Sequence, residues 1–147
     1  MKLLILVAVI VSLVVVGVVV AFVMFYGVNY SSGTFIMKFE SHGSGYWSFS
    51  AKSANGYSSL SRVLSQEDLD HFSVKSSLSG GGLFLVLSQG EVCQTIDLSE
   101  GEMYFSAKDL GMEMFSPGQL SMQLKFDGAK DVAVNVNWQL PVYGSGQ

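Results

Sequence analysis

Apolar and polar residues follow two different regimes along this chain. Residues 3–25 are apolar at every position except Ser12 and Gly17, and no charge follows Lys2 until well past the run. As a helix rising about 1.5 Å per residue, such a run reaches ~34 Å, enough to cross a hydrocarbon core of about 30 Å. Beyond Tyr26 the pattern changes to period-two alternation broken by Gly- and Ser-rich punctuation. Leu120, Met122, Leu124 and Phe126 alternate with Ser121, Gln123, Lys125 and Asp127; Val132, Val134, Val136 and Trp138 alternate with Ala133, Asn135, Asn137 and Gln139. Each is the pattern of a strand with one buried face. The Asp127-Gly128-Ala129-Lys130 stretch between them carries hairpin-turn chemistry, so the two strands are predicted to pair with each other.

Shorter alternating sets occur at Phe35, Met37 and Phe39, at Trp47, Phe49 and Ala51, at Phe72, Val74, Ser76 and Leu78, and at Val92, Ile96 and Leu98. Leu83-Phe84-Leu85-Val86-Leu87 is uninterrupted and predicts a central strand buried on both faces. Turn signals fall at residues 42–45, 54–56, 79–82, 89–90 and 116–118. Eight or nine short strands so spaced predict an all-β antiparallel β-sandwich behind one N-terminal transmembrane helix. Two helical turns are expected where Ser65 precedes Asp68 and Ser106 precedes Asp109, both of capping-box form; the second should stop at Gly111. The predicted organisation is an anchor over 1–26, a short linker over 27–33, the sandwich over 34–140 and a flexible tail over 141–147.

The fate of the first segment follows from its length. A cleaved secretory signal has an apolar core of about 7–15 residues that turns polar after a small-residue site. Here Phe22, Val23, Met24 and Phe25 continue past the weak Val19-Val20-Ala21 pattern, which predicts an uncleaved span in the lipid bilayer over residues 3–25. Lys2 and the terminal amine are the basic groups on one flank, and the next lies at Lys38. The N-terminus is therefore expected in the cytoplasm with the sandwich outside, and Tyr26 and Tyr30 near the outer interface. No ionisable residue lies within the span, so it reads as an anchor and not an ion path.

Composition narrows the partners. The chain has 147 residues and a formal net charge of −4, with its basic residues scattered. No basic stripe forms, which argues against nucleic acid and against docking on anionic lipid. Cys93 is the single cysteine, so no intramolecular disulfide forms and the core must hold by packing.

Ser79-Gly80-Gly81-Gly82-Leu83-Phe84-Leu85-Val86-Leu87, followed by Ser116-Pro117-Gly118-Gln119-Leu120-Ser121-Met122-Gln123-Leu124 and a last alternating strand, resembles bacterial pre-peptidase C-terminal domains. The resemblance covers roughly the second half of the chain. It implies a jelly-roll-like sandwich of accessory or binding character and carries over no site residue.

Catalytic chemistry finds little footing. His42 sits in a Ser-His-Gly-Ser-Gly turn, and His71 follows Glu67, Asp68 and Asp70, but neither accompanies a Gly-x-Ser-x-Gly elbow. His71 is expected to face outward from a strand. One cysteine and two distant histidines do not make a zinc set. Glu67, Asp68 and Asp70, or Asp97, Glu100 and Glu102, lack the spacing of a calcium loop and read as solvated acids. Cys93 reads as an inert thiol facing away from the core. Tyr46, Tyr57, Tyr104 and Tyr143 remain as outward rings able to stack on sugar faces, and Tyr46 and Tyr57 are the ligand-binding candidates. No cofactor and no metal are expected. The expected role is a non-catalytic interaction or accessory module, held at the membrane to contact a protein partner or a cell-envelope polymer. Carbohydrate binding and self-assembly through a sheet edge are the alternatives.

Overall fold

The computed structural model describes residues 1–26 and 28–139, with side chains described outside 22–29. Helix α1 spans Lys2–Tyr26 and is followed, in chain order, by β1 (Val28–Ile36), β2 (Phe39–His42), β3 (Tyr46–Leu64), α2 (Gln66–Asp70), β4 (Ser73–Ser77), β5 (Gly80–Gln89), β6 (Val92–Asp97), β7 (Glu102–Phe105) and β8 (Gly118–Asn137). α1 is long and apolar enough to cross a membrane, a property it shares with signal sequences. The segment expected as a linker over 27–33 is, from residue 28 onward, the first part of β1: Val28 pairs with Ser61 and Gly33 with Gly56. Its polar, Ser-rich composition suits an edge strand with one wet face, which single-residue reading does not distinguish from a loop. The C-terminal segment 141–147 lies outside the described residues.

The sandwich is organised by two strands, β3 and β8, of 19 and 20 residues. They pair antiparallel from Tyr46↔Asn137 to Leu64↔Gly118. Their first and last halves belong to different layers. In one sheet, β2 and the start of β3 pair beside the end of β8, then β4 and β7. In the other, β1, the end of β3, the start of β8, β5 and β6 follow in order. The predicted hairpin at Asp127-Gly128 is thus not formed; that segment is a corner in the middle of β8. Burial shows the bend directly: β3 buries odd positions (Trp47, Phe49, Ala51) before the corner and even ones (Ala54, Ser58, Leu60) after it.

Glycine explains why a turn signal becomes a bend. Gly128 has φ +59° and Gly56 φ +129°, and the β3–β8 register shifts between Ala54 and Gly56. A left-handed glycine serves a β-bulge as well as a hairpin, and the strong local twist of a bulge folds the ladder over. The turn expected over 54–56 is the same corner seen from β3. Asn55 Oδ1 accepts from the Gly128 N–H at 3.2 Å, and Ser79 Oγ donates to Asp131 at 2.7 Å.

The two inner faces share one apolar core. At the corner end, Phe49 and Phe126 stack 4.5 Å apart with Phe35 edge-on to both. At the open end, Trp138 stacks on Phe72 and lies 5.8 Å from the guanidinium carbon of Arg62, a group whose pKa burial lowers. Trp47 and Trp138 are both 1% exposed, as their parity predicts. In β5, Leu83, Leu85 and Leu87 are fully buried but Phe84 and Val86 only half so, which corrects the expectation of a strand buried on both faces. Among the described residues, no layer covers their side of the sheet. On β2, Glu40 is held by Ser58 Oγ of β3 at 2.7 and 2.8 Å and by Lys38 at 3.5 Å.

Among the described residues, Ser76 Oγ is buried without a hydrogen-bond partner. Leaving a hydroxyl so costs about 1–3 kcal/mol relative to a satisfied one. Ser76→Ala is therefore expected to raise stability by about 1 kcal/mol, read as a higher midpoint in urea denaturation. The two predicted caps are present. Ser65 and Asp68 close a capping box on α2, and Ser106 and Asp109 close the same reciprocal pair on a turn that leads through Gly111 to a short 3-10 helix at Met112–Met114. Hydrogen bonds from the backbone and then the hydroxyl of Ser106 hold the Asp109 carboxyl below its ordinary pKa. Its contribution to stability is thus present above the unfolded carboxylate pKa and is lost as pH falls through the lower folded value. The urea midpoint should fall on acidification between about pH 5 and pH 2, with a shallower slope in Asp109→Asn.

Candidate functional site

An open cleft of about 670 Å³ lies on the outer side of the first sheet, at the end of the sandwich away from the corner. Four stretches build it: the turn before β3 with the strand's first residue (Ser44, Gly45, Tyr46), the end of α2 running into β4 (residues 70–73), the end of β7 and the turn after it (Tyr104, Ser106, Ala107), and the end of β8 with Gln139 beyond it (Asn137, Gln139). Register places them. Asn137 is opposite both Tyr46 and Ser73, and Lys75 is opposite Tyr104. Three strand spacings and a two-residue offset put the Tyr46 and Tyr104 backbones ~16 Å apart.

Local chemistry fixes each wall. The Gly43 N–H donates to the Tyr46 carbonyl at 2.9 Å, and the Trp138 N–H to the Gly45 carbonyl at 3.0 Å. A Cβ at Gly43 would meet the Tyr46 ring at 2.6 Å, and one at Gly45 would meet Gln139 at 2.7 Å. Bare glycines are what let that ring and that amide lie against the turn. Trp138 Nε1 donates to the Ser44 carbonyl at 2.8 Å, tying the turn to the core. On the facing wall, Gln66 donates to Asp70 at 2.9 Å. His71 caps α2, and its Nδ1 donates to the Glu67 carbonyl at 2.9 Å, back along its own helix and not to an acid. It is exposed as expected, but as a helix cap and not on a strand.

The lining is therefore two exposed phenol rings, Tyr46 at 43% and Tyr104 at 66%, among carboxamide, hydroxyl, carboxylate and imidazole groups. Such a surface offers flat apolar faces and many donors and acceptors, the means of recognising a ligand rich in hydroxyl groups. No group of three or more His, Cys, Asp or Glu able to hold a metal occurs among the described residues.

Of the two ligand-binding candidates, Tyr46 lies in the cleft and Tyr57 does not. Tyr57 sits past the corner on the second sheet, half-buried, with its ring 5.9 Å from that of Tyr30. A hydrogen bond with Tyr30, then burial, raises its pKa. The bend separates the pair, because outward residues before and after a corner face different ways. Tyr143 lies outside the described residues. Cys93 is exposed on the edge strand β6, and His42 is exposed at the end of β2. Asp97 is turned to its own chain, accepting from the Ser99 N–H at 2.9 Å. Asp70, Asn137 and Gln139 carry no local signal for a site; they join it only through the β3–β8 register and the α2 connection.

The architecture defines an antiparallel β-sandwich with an open polar and aromatic cleft, preceded by an apolar helix. The chain matches no protein-family profile and no curated protein sequence. Among solved structures it is similar to TmCBM61 in complex with β-1,4-galactotriose, at 8% identity and TM-score 0.38, over 76% of this chain and 83% of that one. It is similar also to the Spr0440 glycoside hydrolase domain, Endo-D from Streptococcus pneumoniae R6, at 13% identity and TM-score 0.38, over 74% of this chain but 20% of that one. Likeness of this degree carries no argument about the site, whose reading rests on its own geometry.

Proposed function

We propose that this chain is a membrane-held, non-catalytic binding module whose sandwich faces outward and takes a carbohydrate or cell-envelope polymer in the cleft around Tyr46 and Tyr104. The observation that carries the reading is the pairing of two exposed rings with carboxamides, hydroxyls and a carboxylate in one open groove. The ~16 Å between the two tyrosines is longer than one sugar ring, which suits an oligosaccharide lying across the strands. An N-terminal helix long and apolar enough to cross a membrane agrees with this role.

The full chain in detergent should bind neutral members of an oligosaccharide array, and Tyr46→Ala or Tyr104→Ala should each weaken binding at least tenfold. Tyr57→Ala should leave it unchanged. Loss in Tyr57→Ala with retention in the other two would move the site to the second sheet. A protein partner is the second reading, favoured by three exposed apolar residues at the corner, Ile36, Met37 and Phe39, at 53, 64 and 70%.

A further inference from the structure

The cleft and the point where the helix joins the sandwich lie at the same end of the molecule. α1 ends at Tyr26 and β1 begins at Val28, so their Cα atoms are at most ~7 Å apart. Val28 pairs with Ser61, and the neighbouring Arg62 reaches Trp138, which stands between the cleft residues Asn137 and Gln139. Through α2 the route is equally short: Ser65 caps it just after β3 ends at Leu64, and His71 at its other end lines the cleft. These steps place the cleft within roughly 20–25 Å of the helix end. The corner stands at the far end of β1, which over its nine residues runs ~30 Å.

Two further features belong to the cleft end. Exposed Val63 lies there opposite Gln119, exposed Val92 closes the β5–β6 turn, and exposed Met114 is two residues from Ser116, whose N–H donates to Gln89 at 2.8 Å. Carboxylates outnumber the cation there: Asp70 lines the cleft, Glu67 and Asp68 line a smaller depression beside it with His71 and Trp138, and Arg62 lies against Trp138 with its charge facing that of Asp68. Lys75 and Glu102 share the neighbouring groove.

We infer that, on the membrane-held reading above, the cleft takes the neutral saccharide head of a lipid in the same bilayer as α1. The chain's own connectivity holds the cleft at headgroup reach, the exposed apolar residues at that end suit an interface, and the carboxylates repel an anionic head.

The test uses the full chain, its intact mass confirming residues 1–26, in phosphatidylcholine nanodiscs with or without digalactosyl diacylglycerol. Hydrogen exchange should slow over 44–46, 70–73 and 104–107 in the glycolipid discs, and not in Tyr46→Ala/Tyr104→Ala. Sulfoquinovosyl diacylglycerol should give no protection; equal protection would overturn the neutral preference. Protection by free digalactosyl glycerol but not by the embedded lipid would overturn the inference while leaving saccharide binding intact. Protection by neither would contradict both readings. Independently, spin labels at Ser44→Cys and Asp127→Cys in a Cys93→Ser background should report several-fold stronger relaxation by a headgroup-chelated paramagnetic ion at 44 than at 127. The reverse order would place the cleft away from the bilayer.

Discussion

Gly56→Ala should abolish the folded sandwich. At φ +129° the residue lies in backbone space that side chains rarely adopt, and a Cβ there would stand 2.2 Å from the Ser32 carbonyl oxygen and 2.7 Å from the Gly33 Cα. The obstruction is backbone on the paired strand, so no side-chain rotation relieves it. β1 must part from β3 or the corner must open, and the loss should be at least ~3 kcal/mol, beyond the ordinary range for one substitution. Gly81→Ala should act alike, since its Cβ would fall 2.2 Å from the Gly128 carbonyl oxygen on the opposite side of the same corner. Gly101→Ala, with open space around it, is the control and should change little. Urea denaturation of the full chain, followed by tryptophan fluorescence, reads all three.

The second large effect is expected at Trp138. Its ring is fully buried against Phe72 and under Arg62, and it joins the end of β8 in one sheet to the end of β3 in the other. Trp138→Ala should cost about 3–5 kcal/mol, the range for truncating a large buried aromatic. Part of that loss is the cation–π contact with Arg62. Trp138→Phe should keep most of the stacking while losing the 2.8 Å bond to the Ser44 carbonyl, at a cost of about 1–2 kcal/mol. The Ser44 turn would then be held only by the backbone bonds of Gly43 and Gly45, so saccharide affinity should fall in a protein that still unfolds cooperatively.

Alternation reported the buried face correctly over 47–51, 72–78, 120–126 and 132–138, but not for Phe35, Met37 and Phe39, where the chain turns from β1 to β2 and leaves Met37 and Phe39 exposed. The α2 capping box was legible because its donors and acceptors are three residues apart. What alternation could not report was the course of β8. Leu120 to Phe126 and Val132 to Trp138 share one parity, and Asp127-Gly128 supplies a left-handed residue that serves a hairpin or a bulge alike. The choice was made by β3, whose own Gly56 provides the matching irregularity and which pairs with both halves. Once the hairpin is replaced by a corner, the placement of the rings changes. Tyr46 and Tyr57 are 11 positions apart on one strand yet face different ways, while Tyr46 and Tyr104, far apart in sequence, line one groove. Serines and asparagines of the polar parity read as wet strand surface, and only the register reveals which of them converge.

The measurement that bears most directly on the account is hydrogen exchange of the full chain with and without a bound neutral oligosaccharide taken from the array. Slowed exchange confined to 44–46, 70–73, 104–107 and 137–139 is the predicted result. Protection centred on residues 30–32, 57 and 123–125 of the second sheet, or no saccharide bound at all, would contradict it.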